Sequence, residues 1–211
     1  EYLKTGKKIN RTYLLDNYNG KMNFPNVEII NKNEMDKLVK GNTQGIVLDI
    51  DYEYANLEEI TCKENPLIVI LDHLEDPHNF GAIIRTCEAI GVNNIIIPKD
   101  RGVVVNDTVV KTSTGALSRV NIIMVTNLVN AINELKRDGY FVYSAEADGE
   151  DFRKVDYNDK KLLIIGSEGN GLSKLVRNNS DVIISIPMKG EVNSLNASVA
   201  AAILIYGIGE K

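Results

Sequence analysis

The sequence has few cysteines and histidines, the residues that form disulfides and structural metal sites in small proteins. Its 211 residues include two cysteines, Cys62 and Cys87, and no tryptophan. The cysteines form no CxxC motif, and the histidines, His73 and His78, lack the spacing of metal ligands. We therefore expect neither a disulfide framework nor a metal site, and a reducing compartment, the cytoplasm, fits best.

Other absences exclude whole classes of protein. No apolar run approaches the ~20 residues of a membrane-spanning helix, and the first residues lack the apolar core of a signal peptide. Because the chain starts with Glu1, we expect that residues upstream are missing. There is no GxxxxGK[ST] or GxSxG motif, which excludes a P-loop nucleotidase and disfavours an acyl-enzyme hydrolase.

Basic residues are fewer than acidic ones, since 24 basic and 29 acidic residues give a net charge of −5. This argues against binding nucleic acid by bulk electrostatics. The charge is uneven, however, with five basic and two acidic residues over Glu1–Phe24 but three basic and eight acidic over Pro25–Ile60. A local basic site and an ordinary solvated face both remain open.

The first part of the chain has the pattern of a small α/β domain, which we place at residues 1–60. We predict strands over Val27–Ile30 and Gly45–Ile50, with a helix over Glu34–Val39 behind a possible Asn33 cap. A polar, acidic stretch follows and is closed by Pro66, and we place the linker at residues 61–65.

The second part, residues 66–211, contains six runs rich in Ile and Val. The runs are continuous rather than alternating, as in a parallel sheet that helices cover on both faces. Helical patterns lie between several of them, which predicts an α/β domain with a mainly parallel sheet. The predicted strands are 67–71, 94–98, 121–125, 140–145, 161–166 and 181–186, and the predicted helices are Phe80–Ile90, Leu128–Asp138 behind Asn127, and Ala197–Ile208.

Ligands of open α/β sheets bind beyond the carboxyl ends of the strands, and the segment after the first of these strands is NFGAIIR. Asn79 could cap the following helix, and Arg85 could project toward the strand ends. A plain cap and a surface cation are the simpler interpretations of these two residues. Gly81 weakens the first helical turn, which indicates that something approaches the backbone closely.

Two further segments follow later strands. In GSEGNGLS, the glycines at 166, 169 and 171 allow sharp turns that expose amide groups, and Glu168 is the titratable group. The spacing GxxGxG gives only weak support to a dinucleotide site, which uses GxGxxG. In the stretch from Ile184 to Ala200, Ser194 or Asn196 could cap a helix of small residues that would permit close approach of a cofactor or a partner subunit.

Taken together and in this order, the three segments resemble the SpoU (TrmH-like) family of RNA 2′-O-ribose methyltransferases. The resemblance rests on NFGAIIR, GSEGNG and IPMKGEVNSLNASVA, which together extend over about 120 residues. The amino-acid sequence of the third segment is most similar to that of the RlmB-like members, which methylate a guanosine of 23S ribosomal RNA. The N-terminal part, with EYLKTGKKINRTYLL and TQGIVL, is similar to the ribosomal-protein-like RNA-binding domain of many members, without its opening element.

The resemblance implies a SPOUT fold, in which the C-terminal part of a parallel α/β sheet forms a trefoil knot that binds S-adenosylmethionine. It also implies a homodimer and a ribosomal RNA substrate, with no metal, DNA or membrane partner. Pattern alone would have predicted an unknotted, Rossmann-like sheet, since knots are so rare.

By the same resemblance, the site residues fall into two sets. The residues that match the family's catalytic positions, by this resemblance, are Asn79, Arg85, Glu168, Ser194 and Asn196. The residues that match its cofactor-binding positions are Gly166, Ile186, Gly190 and Leu195. Arg85 has been cast as the activating group, but a guanidinium with a pKa above ~12 is a poor base. Our interpretation is that Arg85 holds a phosphate of the substrate and lowers the pKa of the hydroxyl, whereas Asn79 orients Arg85 or the ribose.

Alternatives remain open at this point. The same chemistry could act on transfer RNA or at an antibiotic-resistance site of ribosomal RNA, and a non-catalytic RNA-binding or ribosome-assembly factor is a different class. A NAD-dependent oxidoreductase is a distant third possibility.

The predicted RNA contact surface consists of the basic N-terminal stretch, which includes Lys4 and Lys7, together with Arg85, Lys99, Arg101, Lys111 and Arg119.

Overall fold

The computed structural model describes residues 3, 8–60, 66–192 and 194–210 of the chain. The chain divides into two compact units, of which the first ends at Glu53 and the second begins at Tyr54. The predicted linker at 61–65, together with Cys62, and the basic residues Lys4 and Lys7 lie outside the described residues.

In the part of the first unit that the structure describes, there is a three-stranded sheet and one α-helix. The elements are β1 (Arg11–Leu15), β2 (Val27–Ile30), α1 (Lys32–Leu38) and β3 (Ile46–Asp49), and the strand order is β2-β1-β3. Strand β1 pairs parallel to β2 and antiparallel to β3. The two predicted strands and the helix are confirmed, whereas β1 was not predicted.

The cap predicted for α1 is wrong by two residues. Asn31, not Asn33, begins the helix, because it forms a reciprocal capping box with Glu34. The Asn31 side chain accepts from the amide of Glu34 at 3.1 Å, and the Glu34 carboxylate accepts from the amide of Asn31 at 2.9 Å.

The second unit is a parallel six-stranded sheet with helices between its strands. Its strands are β4 (Leu67–Asp72), β5 (Asn94–Pro98), β6 (Asn121–Val125), β7 (Phe141–Asp151), β8 (Lys161–Gly166) and β9 (Val182–Ser185). Its helices are α2 (Pro77–Ala89), α3 (Asp107–Thr112), α4 (Leu128–Arg137), α5 (Lys174–Asn178) and α6 (Ala197–Gly209). All six predicted strands are confirmed, and α3 and α5 are two short helices that the pattern did not indicate.

The strand order β6-β5-β4-β8-β7-β9 places β8 between β4 and β7, and every pairing is parallel. The chain moves outward from β4 to β6 and then continues on the other side of β4. The order therefore reverses beside β4 and β8, which is where open α/β sheets bind ligands. Every residue of β4 is buried, as expected for a strand covered on both faces.

Residues 54–60 pack with the second unit, so the unit boundary comes seven residues before the predicted end of the first domain at residue 60. Ala55 pairs with Ile123 of β6, and its amide donates to the carbonyl of Ile122 at 2.9 Å. Ile60 is buried in the core cluster of the same unit. Through these contacts, residues 54–60 belong to the second unit.

Helix α2 begins three residues earlier than predicted. Asp76 is its N-cap and accepts from the amide of His78 at 2.9 Å, and Pro77 occupies the first helical position. Asn79 is therefore inside the first turn and does not cap the helix, so that expectation was wrong. The predicted close approach at Gly81 is confirmed, because a Cβ there would lie 2.6 Å from the Cβ of Thr112. The approaching group is the end of α3.

Among the described residues, no helix is both long enough and apolar enough to cross a membrane.

The caps predicted for two other helices are confirmed. Asn127 caps α4 by accepting from the amide of Asn130, and Asn196 rather than Ser194 caps α6.

Cys87 of α2 has no exposed surface, and this burial raises the pKa of its thiol above the ordinary value. Because only the thiolate reacts with alkylating agents, we expect native Cys87 to react at least ~10-fold more slowly than in the unfolded chain. Iodoacetamide labelling at pH 8, followed by mass spectrometry of the Cys87 peptide, measures both rates. Equal rates with and without guanidinium would contradict the buried position of Cys87.

Candidate functional site

A cavity of about 840 Å³ lies beside the middle of β7 and the carboxyl ends of β8 and β9. Its walls are the middle of β7, the loop that follows β8, the segment after β9 and the start of α6. Six of the nine predicted site residues line it, namely Gly166, Glu168, Ile186, Gly190, Ser194 and Leu195. Its volume is within the range of ~300–1,000 Å³ that is typical of ligand sites.

The loop after β8 is a closed turn. Ser167 and Gly171 exchange two backbone hydrogen bonds of 3.1 and 3.0 Å, and Gly169 and Gly171 have φ values of +102° and +63°. The predicted sharp turn is confirmed, although the amides of Ser167 and Gly171 are used within the loop. At Gly166, a Cβ would lie 2.3 Å from the carbonyl carbon of Gly171 and 2.7 Å from the amide of Leu172. No side chain fits there without moving backbone.

The segment after β9 is the exposed wall of the cavity. Ile186 is half-buried, whereas Gly190, Ser194 and Leu195 are exposed. Asn196 does not line the cavity, because its side-chain oxygen accepts from the amide of Ser198 at 3.0 Å and from the hydroxyl of Ser198 at 2.6 Å. Asn196 therefore sets where α6 begins, beside residues that do line the cavity.

Asn79 and Glu168 connect two segments that are 89 residues apart. The side-chain amide of Asn79, which is buried, donates to the Oε1 atom of Glu168 at the cavity wall. This contact fixes the start of α2 against the loop after β8. Asn79 does not itself line the cavity, but it reaches the cavity through Glu168.

Arg85 is on α2, six residues beyond Asn79, and its side chain is exposed. Six helical residues correspond to a rotation of about 600°, so Arg85 and Asn79 lie on different faces of the helix. Arg85 does not line the cavity, and among the described residues it makes no hydrogen bond or ion pair. Its guanidinium is thus available to an anionic group that approaches from solvent.

Carboxylates that were not predicted surround the same loop. Glu146 lines the cavity, pairs with Arg177 of α5, and accepts from the amide of Leu172 at 3.4 Å. Arg177 also holds Asp148 through two hydrogen bonds of 3.2 and 2.9 Å. The sequence signal for these residues is the pair of acidic residues directly after the apolar run of β7.

A further unpredicted carboxylate, Asp72, is fully buried at the end of β4. One of its oxygens accepts from the amide of Ser173 at 2.6 Å, and the other is 2.6 Å from Nδ1 of His73. A single charged residue at the end of an otherwise apolar strand was the available signal.

The basic residues of the second unit that were predicted to contact RNA lie on its surface. Arg85, Lys99, Arg101, Lys111 and Arg119 are all exposed, and Arg119 pairs with Glu88 at 2.9 Å. Within the described ranges there is no group of three His, Cys, Asp or Glu side chains that could hold a metal ion.

Comparison with known proteins extends these observations. The model of the SpoU rRNA Methylase family matches residues 66–206. The Bacillus subtilis protein YacO, which is named for the TrmH family of tRNA/rRNA methyltransferases, is 43% identical over 192 residues, which cover 88% of this chain and 77% of YacO. A Staphylococcus haemolyticus protein named for the same family is 45% identical over 192 residues, with the same shares of each chain.

Solved structures give a consistent fold. The A. aeolicus TrmH/SpoU tRNA modifying enzyme is 33% identical, with a TM-score of 0.64 over 69% of this chain and 75% of that one. AviRb from Streptomyces viridochromogenes, a SpoU methyltransferase solved with AdoMet, has a TM-score of 0.86 over 99% of this chain and 85% of that one. At 24% identity, the AviRb likeness supports the fold alone.

Proposed function

Because this chain belongs to the SpoU rRNA methylase family, we propose that it transfers the methyl group of S-adenosylmethionine to a ribose 2′-hydroxyl of RNA. The observation that carries the proposal is the large cavity, which collects residues of the second and third sequence segments and is joined to the first by the hydrogen bond from Asn79 to Glu168.

The cavity fits S-adenosylmethionine in size and chemistry. Its wall combines apolar side chains, such as Ile186 and Leu195, with the glycine-rich backbone around Gly166. Apolar surface suits the adenine ring, and main-chain groups suit its polar edge and the ribose. We propose that Gly166, Ile186, Gly190 and Leu195 hold the cofactor. The AviRb and Sinorhizobium meliloti structures, which share the fold, were solved with AdoMet, and this supports S-adenosylmethionine as the ligand.

The proposed reaction is an in-line displacement. The 2′-oxygen forms a bond to the methyl carbon while the bond from sulfur to that carbon breaks, which leaves S-adenosylhomocysteine. The hydroxyl gives up its proton to solvent water as this happens, so the site must stabilise a developing negative charge on oxygen. We propose that Arg85 holds the adjacent phosphate and supplies this stabilisation. Asn79, Glu168, Ser194 and Asn196 then shape the pocket in which the ribose is oriented.

We further propose that the target is a guanosine of 23S ribosomal RNA and that the first unit binds RNA. The sequence of the third segment, which resembles that of the RlmB-like members, supports the choice of target. The resemblance of the first unit to a ribosomal-protein-like domain supports RNA binding. Transfer RNA is the second candidate, because the A. aeolicus relative is named as a tRNA modifying enzyme. The knotted topology belongs to the same proposal and rests on the family resemblance. A cytoplasmic location is also proposed, and it rests on the lack of a disulfide framework in the sequence.

Methyl transfer from radiolabelled S-adenosylmethionine to purified ribosomal and transfer RNA from a deletion strain tests the substrate. We expect label in the large-subunit ribosomal RNA at one guanosine. Label confined to transfer RNA would select the second candidate, and no label in any RNA, with intact cofactor binding, would favour a non-catalytic RNA-binding factor.

The exposed face of α6 supports the proposal of a homodimer. Val199, Ile203 and Tyr206 are apolar, between 37% and 48% exposed, and spaced so that they lie on one side of the helix. Contiguous exposed apolar surface of this kind typically marks an interface, and a two-fold dimer would bury the patch against its own copy.

An Ile203→Asp substitution is expected to convert the dimer into a monomer, because it would bury a carboxylate opposite its own copy. Light scattering after size exclusion measures the mass. Val110→Asp, at an equally exposed apolar position on α3, is the matched control and should leave the mass unchanged. A monomeric parent protein, or a dimeric Ile203→Asp variant, would rule out this face.

A further inference from the structure

A second, smaller cavity of about 310 Å³ lies at the carboxyl ends of β4, β5 and β6. Its lining combines apolar groups, such as Pro98, Leu128 and Val176, with the basic side chains of Arg101 and Lys174. His73, Asp100 and Asn127 complete the polar part of the wall. None of these residues belongs to the set proposed above for catalysis or for the cofactor.

Two residues of this cavity have a backbone conformation that L-residues rarely adopt. His73 and Arg101 have φ values of +57° and +52°, and each follows the end of a neighbouring parallel strand. Residues held in this region tend to cluster at binding sites, where the surrounding structure fixes them. The conformation places both side chains at one small cavity.

The imidazole of His73 is held by a buried partner. Asp72 has no exposed surface, and its carboxylate lies 2.6 Å from Nδ1 of His73. The other oxygen of Asp72 accepts from the amide of Ser173, which lines the same cavity. With Nδ1 occupied in this way, Nε2 remains to meet a ligand. The ring is therefore oriented before any ligand arrives.

The chemistry of the wall fits a single nucleotide. Unpaired bases stack on flat or apolar surface, and their phosphates meet Arg and Lys. Arg101 and Lys174 outnumber the one carboxylate, Asp100, and the first turn of α4 adds the positive end of a ten-residue helix. The volume is at the lower end of the ~300–1,000 Å³ range of ligand sites, which favours a ligand the size of one nucleoside.

The second cavity is directly beside the proposed catalytic site. Asp72 pairs in register with Gly166, at the end of the adjacent strand β8. The loop after β8 lines the large cavity as far as Gly171, and Ser173, two residues later, lines the small one. A strand of RNA with one ribose at the large cavity could therefore place a flanking nucleotide in the small one.

We propose that the second cavity binds an unpaired nucleotide of the substrate RNA that flanks the methylated one, an inference that rests on the proposed function. Arg101 and Lys174 hold its phosphate. Its base packs against Pro98 and Leu128 and forms a hydrogen bond with Nε2 of His73.

The first test removes the phosphate contacts in an Arg101→Ala/Lys174→Ala variant of the whole chain. We expect the KM for ribosomal RNA to rise about tenfold or more, while kcat at saturating RNA and the KM for S-adenosylmethionine stay within about twofold. The slope of log affinity against log salt should fall by about 0.7, because one phosphate of a single strand is no longer neutralised. An Arg137→Ala/Lys154→Ala variant removes two exposed cations elsewhere on the same unit and should match the parent.

The second test separates base recognition from phosphate binding. His73→Asn keeps a residue that tolerates the positive φ but removes the ring. We expect weaker binding of a short fluorescein-labelled single-stranded RNA, measured by anisotropy, with an unchanged salt slope. Anisotropy needs no turnover, so a parent protein that binds RNA without methylating it would refute the proposed function and not this site. Affinities of both variants within about twofold of the parent would overturn the site.

Discussion

Replacing Arg85 by alanine is expected to lower the rate of methyl transfer at least ~100-fold, which is the usual effect of removing one group that stabilises transition-state charge. Binding of S-adenosylmethionine should stay within about twofold of the parent, since surface substitutions away from a site have small effects. The reason is positional, because Arg85 is exposed on α2 and does not line the large cavity. Its proposed partner is the RNA.

The measurement is single-turnover methyl transfer at saturating RNA, with cofactor binding by calorimetry on the same samples. Arg85→Lys keeps the charge but loses the planar, two-pronged donor, so its rate should lie between those of the parent and the alanine variant. Arg137→Ala, at an exposed arginine on α4, is the matched control. An Arg85→Ala variant that turns over normally would remove Arg85 from the mechanism, and a loss of cofactor binding would move it to the cofactor site.

The second large effect is expected at Gly166. An alanine there would place its Cβ 2.3 Å from the carbonyl carbon and 2.5 Å from the carbonyl oxygen of Gly171. Since both neighbours are backbone, the loop must move, and displacements of about 1 Å at a binding site reduce function on the order of 100-fold. We therefore expect the Kd for S-adenosylmethionine to rise by about that factor.

Gly91→Ala is the matched control, because it changes a glycine that does not line the cavity. A Cβ at Gly91 meets nothing within 4 Å, so binding of the cofactor should change by less than about threefold, although the φ of +79° there makes the variant less stable. Calorimetry gives both affinities, and thermal unfolding shows whether the variants are folded. A Gly166→Ala variant that binds as tightly as the parent would show that the loop is not part of the cofactor site.

Much of the fold could be predicted because its strongest signals are local. A buried parallel strand needs a continuous apolar run, and all six runs of the second unit are strands. The elements that were missed are short, such as β1 with five residues and α5 with five. Short elements depend on tertiary contacts more than on their own pattern. The order of the strands carries no local signal at all.

The site was predictable in its parts but not in its connections. The three segments predicted nine site residues, and six of the nine line one cavity. The sequence could not show that Asn79 forms a hydrogen bond with Glu168, which is 89 residues away along the chain. Nor could it show that the side chain of Asn196 is engaged in capping α6. Glu146, Asp72 and Arg177 were missed because their roles arise only when β4, β7 and α5 meet around the loop after β8.

The proposed methylation of the 2′-oxygen of a ribose by this chain is tested most directly by its product. Ribosomal RNA incubated with the protein and S-adenosylmethionine can be digested to nucleosides and analysed by mass spectrometry against synthetic standards. The proposed chemistry predicts 2′-O-methylguanosine as the new nucleoside, formed by the parent and strongly reduced with Arg85→Ala. A new nucleoside methylated on its base, with an unmodified ribose, would contradict 2′-O-methylation by this chain.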